Sequence, residues 1–180
     1  MPMVGAMAIL SGPCWQASVD SVETIAGAAG EHGLGRLRQA ALVILARMDI
    51  VRAFATLKIV VESDQSPRVR REAVEEMAHL PQQLAVPYLL ELAEAERDQP
   101  VEMRREAIES LSGFDASLMA SRLNQLAWSD SSQVVREEAI ESLADLNDGA
   151  ANSMLLELTR NHPRRHTSRE ALDRLQKNFF

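Results

Sequence analysis

Five alanines, Ala41, Ala73, Ala107, Ala139 and Ala171, follow one another at intervals of 32, 34, 32 and 32 residues. Around four of them the sequence aligns without gaps, as Val69-Arg70-Arg71-Glu72-Ala73-Val74, Met103-Arg104-Arg105-Glu106-Ala107-Ile108, Val135-Arg136-Glu137-Glu138-Ala139-Ile140 and Thr167-Ser168-Arg169-Glu170-Ala171-Leu172. A weaker copy is Leu37-Arg38-Gln39-Ala40-Ala41-Leu42. A fixed period of this size marks a chain built from one repeated supersecondary unit. Apolar residues in each copy keep helical spacing, as in Val69, Ala73, Val74, Met77 and Leu80, so each copy is one face of a helix. A second apolar helix precedes it, at Ala85–Ala93 and again at Met154–Thr159. A lone helix pair leaves its apolar stripe in water, so the units must stack into a solenoid with a continuous core.

The punctuation keeps the same period. Asp64, Asp98 and Asp130 each stand five residues before the Val or Met that opens a copy, where an aspartate can cap or brace a helix start. Six residues after each comes Arg70, Arg104 or Arg136, which suggests a structural Asp/Arg ladder between neighbouring repeats. Pro81 suits a first helical turn, whereas Pro87 falls inside a helix and should bend it.

These residues resemble a known family. The pattern Asp-x-x-x-x-Val-Arg-x-x-Ala-x-x-x-Leu, seen in Asp64 to Met77 with methionine for the leucine, is similar to HEAT repeats of the phycobilisome-lyase type. The resemblance is strong from Ile50 to Phe180 and weaker over Val19 to Met48; the last repeat departs from it, with Thr167-Ser168 for Val-Arg and His162 for the aspartate. It implies an α-solenoid whose second helices line a concave surface used chiefly to bind other proteins. The expected fold is therefore all-α, a right-handed solenoid of about five helix pairs, with approximate repeats 15–47, 48–80, 81–114, 115–146 and 147–180.

Residues 1–14 have two readings. Val4 to Ile9 fits the repeat motif, with Ala8 lying 33 residues before Ala41, which makes a half-repeat. The same apolar run looks faintly like a signal peptide, but no Lys or Arg precedes it and a cut after Ala17 would put Trp15 where a small residue is wanted. The expectation is a cytoplasmic protein, with an exported envelope protein as the alternative. A chain that opens on a half-repeat and closes on Phe179 and Phe180 would have apolar ends, which implies a longer parent chain or self-association.

Charge narrows the partners. The net charge is −7, and residues 61–160 hold nine Lys/Arg against twenty Asp/Glu, while the last twenty residues swing back to basic. An acidic middle repels phosphate backbones, so nucleic acid is not an expected partner. No apolar run is long enough to span a membrane. The single cysteine, Cys14, cannot form an internal disulfide and reads as a small apolar residue.

Catalytic chemistry finds little to use. The deoxyhypusine hydroxylase branch of the wider repeat family binds two irons through His-Glu pairs, and this sequence has no His-Glu dipeptide. His32, His79, His162 and His166 fall at unrelated repeat positions, and Pro163 interrupts any shared helical face of the last two. Phycobilin lyases, the other enzymatic relatives implied, need a chromophore groove, yet aromatics are 4% of the chain. Trp15, Tyr88 and Trp128 read as packing residues. No metal, cofactor or catalytic residue is expected, and the chain is read as non-enzymatic.

The second helices carry the remaining signal. Two positions after each anchor alanine come Glu75, Glu109, Glu141 and Asp173, an acidic row, with Arg71, Arg105 and Arg169 one turn earlier beside three of them. Read blandly, it is a self-paired solvated face; read functionally, it is a stripe that recognises a basic protein surface. The expected role is a protein-binding module or scaffold, the alternative a lyase-type or regulatory subunit of an enzyme complex.

Overall fold

The computed structural model describes residues 50–64, 66–94 and 99–179, in which every regular element is helical: eight helices and no strand. The expected half-repeat at residues 1–14, the first full repeat, Cys14, Trp15, His32, Asp98 and Phe180 lie outside the described residues. The chain divides into two compact units, Met1–Leu80 and Pro81–Phe180. That division falls inside the one anchor interval of 34 residues.

The first unit contains one described pair, α1 (Ile50–Ser63) packed on α2 (Pro67–Met77). β-Branched residues fill α1, a poor composition for an isolated helix, so packing must hold it: Ala53, Thr56, Leu57, Val60 and Val61 are buried on one stripe. The turn into α2 is fixed locally. The Asp64 carboxylate accepts the Ser66 N–H at 2.8 Å, the Ser66 hydroxyl accepts the Val69 N–H at 3.4 Å, and Pro67 opens the helix where no N–H is needed.

The second unit stacks three pairs: α3 (Gln82–Glu94) with α4 (Val101–Leu111), α5 (Ala116–Ser129) with α6 (Gln133–Asp145), and α7 (Gly149–Asn161) with α8 (Arg165–Phe179). The second members lie side by side in the order α4, α6, α8, and α7 packs on both α5 and α6. This is the repeat stacking of an α-solenoid. Pro87 lies inside α3 on its exposed side, where the backbone carbonyl it leaves unbonded can face water.

The anchor alanines explain the close approach of the second helices. Ala73, Ala107, Ala139 and Ala171 are fully buried. Small residues let α6 come near enough to α4 for the Ser142 hydroxyl to reach the Ile108 carbonyl at 3.4 Å, and the Asn178 amide of α8 reaches the Ala144 carbonyl of α6 at 3.0 Å. Helix α6, with neighbours on several sides, buries even Arg136, Glu138 and Ser142. By contrast α8 exposes Arg165, Arg169, Asp173, Gln176 and Lys177, with Leu172 the one large apolar residue among its exposed described positions, while the Phe179 side chain and Phe180, on which the expected apolar end rests, lie outside the described residues. A left-handed backbone at Asn147 (φ 46°) turns the chain into α7, whose cap Asp148 accepts the Ala150 N–H at 2.7 Å.

Candidate protein-binding face

The face that the α4–α6–α8 row turns to solvent is where the acidic positions fall. Glu109 on α4 and Asp173 on α8 are exposed and make no ion pair among the described residues. Glu141 on α6, between them in the row, is half-buried and held by Arg174 of α8 through bonds of 2.6 and 2.9 Å. In the first unit Glu75 is exposed at the same register. The depression beside α8 is lined by Glu170, Asp173, Gln176 and Lys177.

The basic partners do not pair down their own helices. Arg71 and Arg169 are exposed and reach neither Glu75 nor Asp173. Arg105 crosses to the next repeat and approaches Glu138 at 3.6 Å rather than turning to Glu109. At the position where the other copies have arginine, α6 has Glu137, which contacts Gln133 at 2.8 Å and His166 of α8 at 3.1 Å. Side-by-side helices bring residues about one repeat apart into range, and for Arg105 that cross-repeat contact replaces the i,i+4 pairing with Glu109 expected from a single helix.

Glu138 is the residue that sequence reasoning passed over. It stands one position before the anchor alanine, where all four strong copies have glutamate, and it is 8% exposed between α4 and α6. Burial pushes its carboxyl up to about 7, helped by the nearby carboxylates of Glu109, Glu141 and Glu106 and opposed by Arg105. The glutamate run in the motif was the available signal, but only stacking distinguishes the buried copy from the half-buried Glu72, Glu106 and Glu170.

The ladder positions are partly described. Arg104 is fully buried, and its guanidinium pairs with the Asp130 carboxylate, 26 residues on in the next repeat, through both Nη atoms. Arg104 Nε also donates to the Ala93 carbonyl at 2.9 Å. Asp130 accepts the Ser132 N–H at 2.8 Å, repeating the Asp64–Ser66 turn, so one carboxylate shapes its own loop and joins two repeats. Arg70 is half-buried and its Nε has no hydrogen-bond partner. Arg136 has no carboxylate partner among the described residues, because His162 holds the position that Asp130 holds one repeat earlier.

His162 nevertheless keeps the local turn. Its Nδ1 accepts the Arg164 N–H at 3.1 Å, as the aspartates accept from the residue two ahead, and its other nitrogen donates to the Trp128 carbonyl at 3.2 Å. The imidazole lies 5.0 Å from the half-buried Trp128 ring, tilted by 45°. Tyr88 is buried in the core. Among the described residues no group of His, Cys, Asp and Glu could hold a metal ion, and no helix is long and apolar enough to cross a membrane.

A family model described as HEAT repeats matches the chain three times, over residues 22–112, 55–144 and 92–176. No curated protein matches it.

Proposed function

Because the chain belongs to the HEAT-repeat family, whose arrays commonly mediate protein–protein interaction, we propose that it is a non-enzymatic module that holds a basic segment of a partner protein against its second helices. The observation that carries this reading is that Glu109 and Asp173, on the two helices that flank α6, stay exposed and without an ion pair among the described residues while Glu141 between them is fixed by Arg174. Two free carboxylates on a rigid row supply complementary potential at no cost of breaking internal pairs. Glu75 extends the same chemistry to the first unit.

The test is a comparison of immobilised wild-type chain with the E75K/E109K/D173K variant, chosen to leave the clamped Glu141 intact. Proteins retained from the native source by the wild type at low salt should be lost with the variant, whose helical circular dichroism should match. Retention should also fall as ionic strength rises. Equal retention by the two chains would remove the acidic row from recognition.

A further inference from the structure

Three guanidinium groups gather around Asp130, and among the described residues only one of them pairs with a carboxylate. Its carboxylate is spent on Arg104 and on the Ser132 N–H. Its backbone carbonyl accepts from Arg136 at 2.7 Å and lies 3.5 Å from Nη1 of Arg164. Arg136 makes its other bonds to the Ser131 carbonyl at 2.9 Å and the Thr167 hydroxyl at 3.2 Å, all neutral oxygens. Its residue is only 5% exposed.

The comparison with the preceding joint shows what is missing. Arg104 and Arg136 hold the same repeat position, and residues 130 and 162 stand the same distance ahead of them. At the first joint residue 130 delivers a carboxylate; at the second, both nitrogens of His162 are already committed, to the Arg164 N–H and the Trp128 carbonyl, and the ring brings no negative charge. The acid next to it in sequence, Glu137, is turned to Gln133 and His166. Burial, then the closeness of Arg164, pull the pKa of Arg136 down, with Asp130 and Glu137 opposing. A buried guanidinium without a counter-charge is costly in a way that a supplied oxyanion relieves, and its planar fork matches carboxylate and phosphate oxygens.

We propose that the joint between α6 and α8 is an oxyanion site, in which Arg136 and Arg164 bind a carboxylate or phosphate group from outside the chain that brings the negative charge the ladder aspartate brings one repeat earlier. Arg164 is exposed, so the group can enter from solvent. It immediately precedes α8, whose positive N-terminal end adds to the attraction.

The test is thermal unfolding of the full chain titrated with sodium phosphate or sodium malonate, against sodium chloride at equal ionic strength, for wild type, R164A and H162D. Phosphate also stabilises proteins generally through exclusion from their surfaces, so the diagnostic quantity is the difference between wild type and variant. In the wild type at least one oxyanion should raise Tm saturably, by a few degrees at about ten times its Kd. The stronger of the two responses distinguishes a phosphate from a carboxylate ligand. R164A, a surface change that should not disturb folding, should lose the saturable part. H162D supplies the carboxylate internally and should abolish the response while raising Tm in chloride alone. Identical responses to oxyanions and chloride in the wild type, or an oxyanion response that persists in R164A, would overturn the proposal.

Discussion

Arg104 on α4 and Asp130, in the turn that leads into α6, form an ion pair sealed from solvent, with the arginine also bonded to the last turn of α3 through the Ala93 carbonyl. Two repeats therefore share one desolvated charge pair. Its net contribution to stability is small, because taking both charges out of water offsets their attraction, but breaking it is expensive. Asp130→Ala should cost on the order of 3–5 kcal/mol in urea unfolding, since it strands a buried guanidinium, whereas the double change R104M/D130L should cost far less than that. A single variant no more costly than the double one would mean that Arg104 finds another partner.

The anchor alanines set how near the second helices approach. Ala107 and Ala139 have no exposed surface, and the Ser142 bond to the Ile108 carbonyl marks the contact between their helices. Ala107→Leu or Ala139→Leu must push α4 and α6 apart or force strained rotamers, at about 1–3 kcal/mol each. Denaturant midpoints of the two variants check this, and unchanged midpoints would place the alanines away from the helix contact.

The helix pairs were legible in the sequence because burial acts with one period: the positions that fill the core, such as Val69, Ala73 and Met77 or Met103, Ala107 and Leu111, recur at fixed offsets from each alanine. The site was less legible. Arg105 and Glu109 sit one turn apart on one helix, and single-helix reasoning pairs them, yet Arg105 approaches Glu138 on its neighbour. Which residues meet across two stacked helices depends on their offset and crossing, quantities that a spacing rule does not contain. His162 was visible as a departure from aspartate, but that its ring would keep the turn and leave Arg136 without a counter-charge follows only from the hydrogen bonds.

Glu138 should make stability depend on pH. Its folded-state pKa of about 7 stands above its ordinary value of 4.5, so between these two the folded chain binds more proton than the unfolded one. For a carboxyl raised in this direction, stability is greatest below about pH 4.5, falls as pH rises toward 7, and levels off above it. The shift corresponds to a loss on the order of 3 kcal/mol. Other groups contribute their own slopes, so the measurement is the difference between wild type and Glu138→Gln. Urea midpoints at pH 5 and pH 8 should show the variant gaining on the wild type at the higher pH. A difference independent of pH would place the carboxyl in a more solvated site.

Arg174 ties α8 to the rest of the second unit by a fork: two bonds to Glu141 on α6 and one of 2.9 Å to Glu170 on its own helix. Both carboxylates remain partly accessible, so the pair with Glu141 is neither a bare surface contact nor a sealed one. Bidentate geometry favours a coupling at the upper end of the exposed range, near 1 kcal/mol, and part of it should disappear when salt screens the charges. A double-mutant cycle of Arg174→Met and Glu141→Gln isolates that energy from the helix-internal bond to Glu170. The coupling should be measurable at low ionic strength and smaller in 0.5 M salt, a concentration at which screening acts over roughly 4 Å. Loss of the clamp should also raise amide exchange in α8 while leaving α5 protected, because the last helix packs mainly on α6 and α7. A coupling of zero with unchanged exchange would mean that buried Thr167, Ala171 and Leu175 hold the helix without help from the fork.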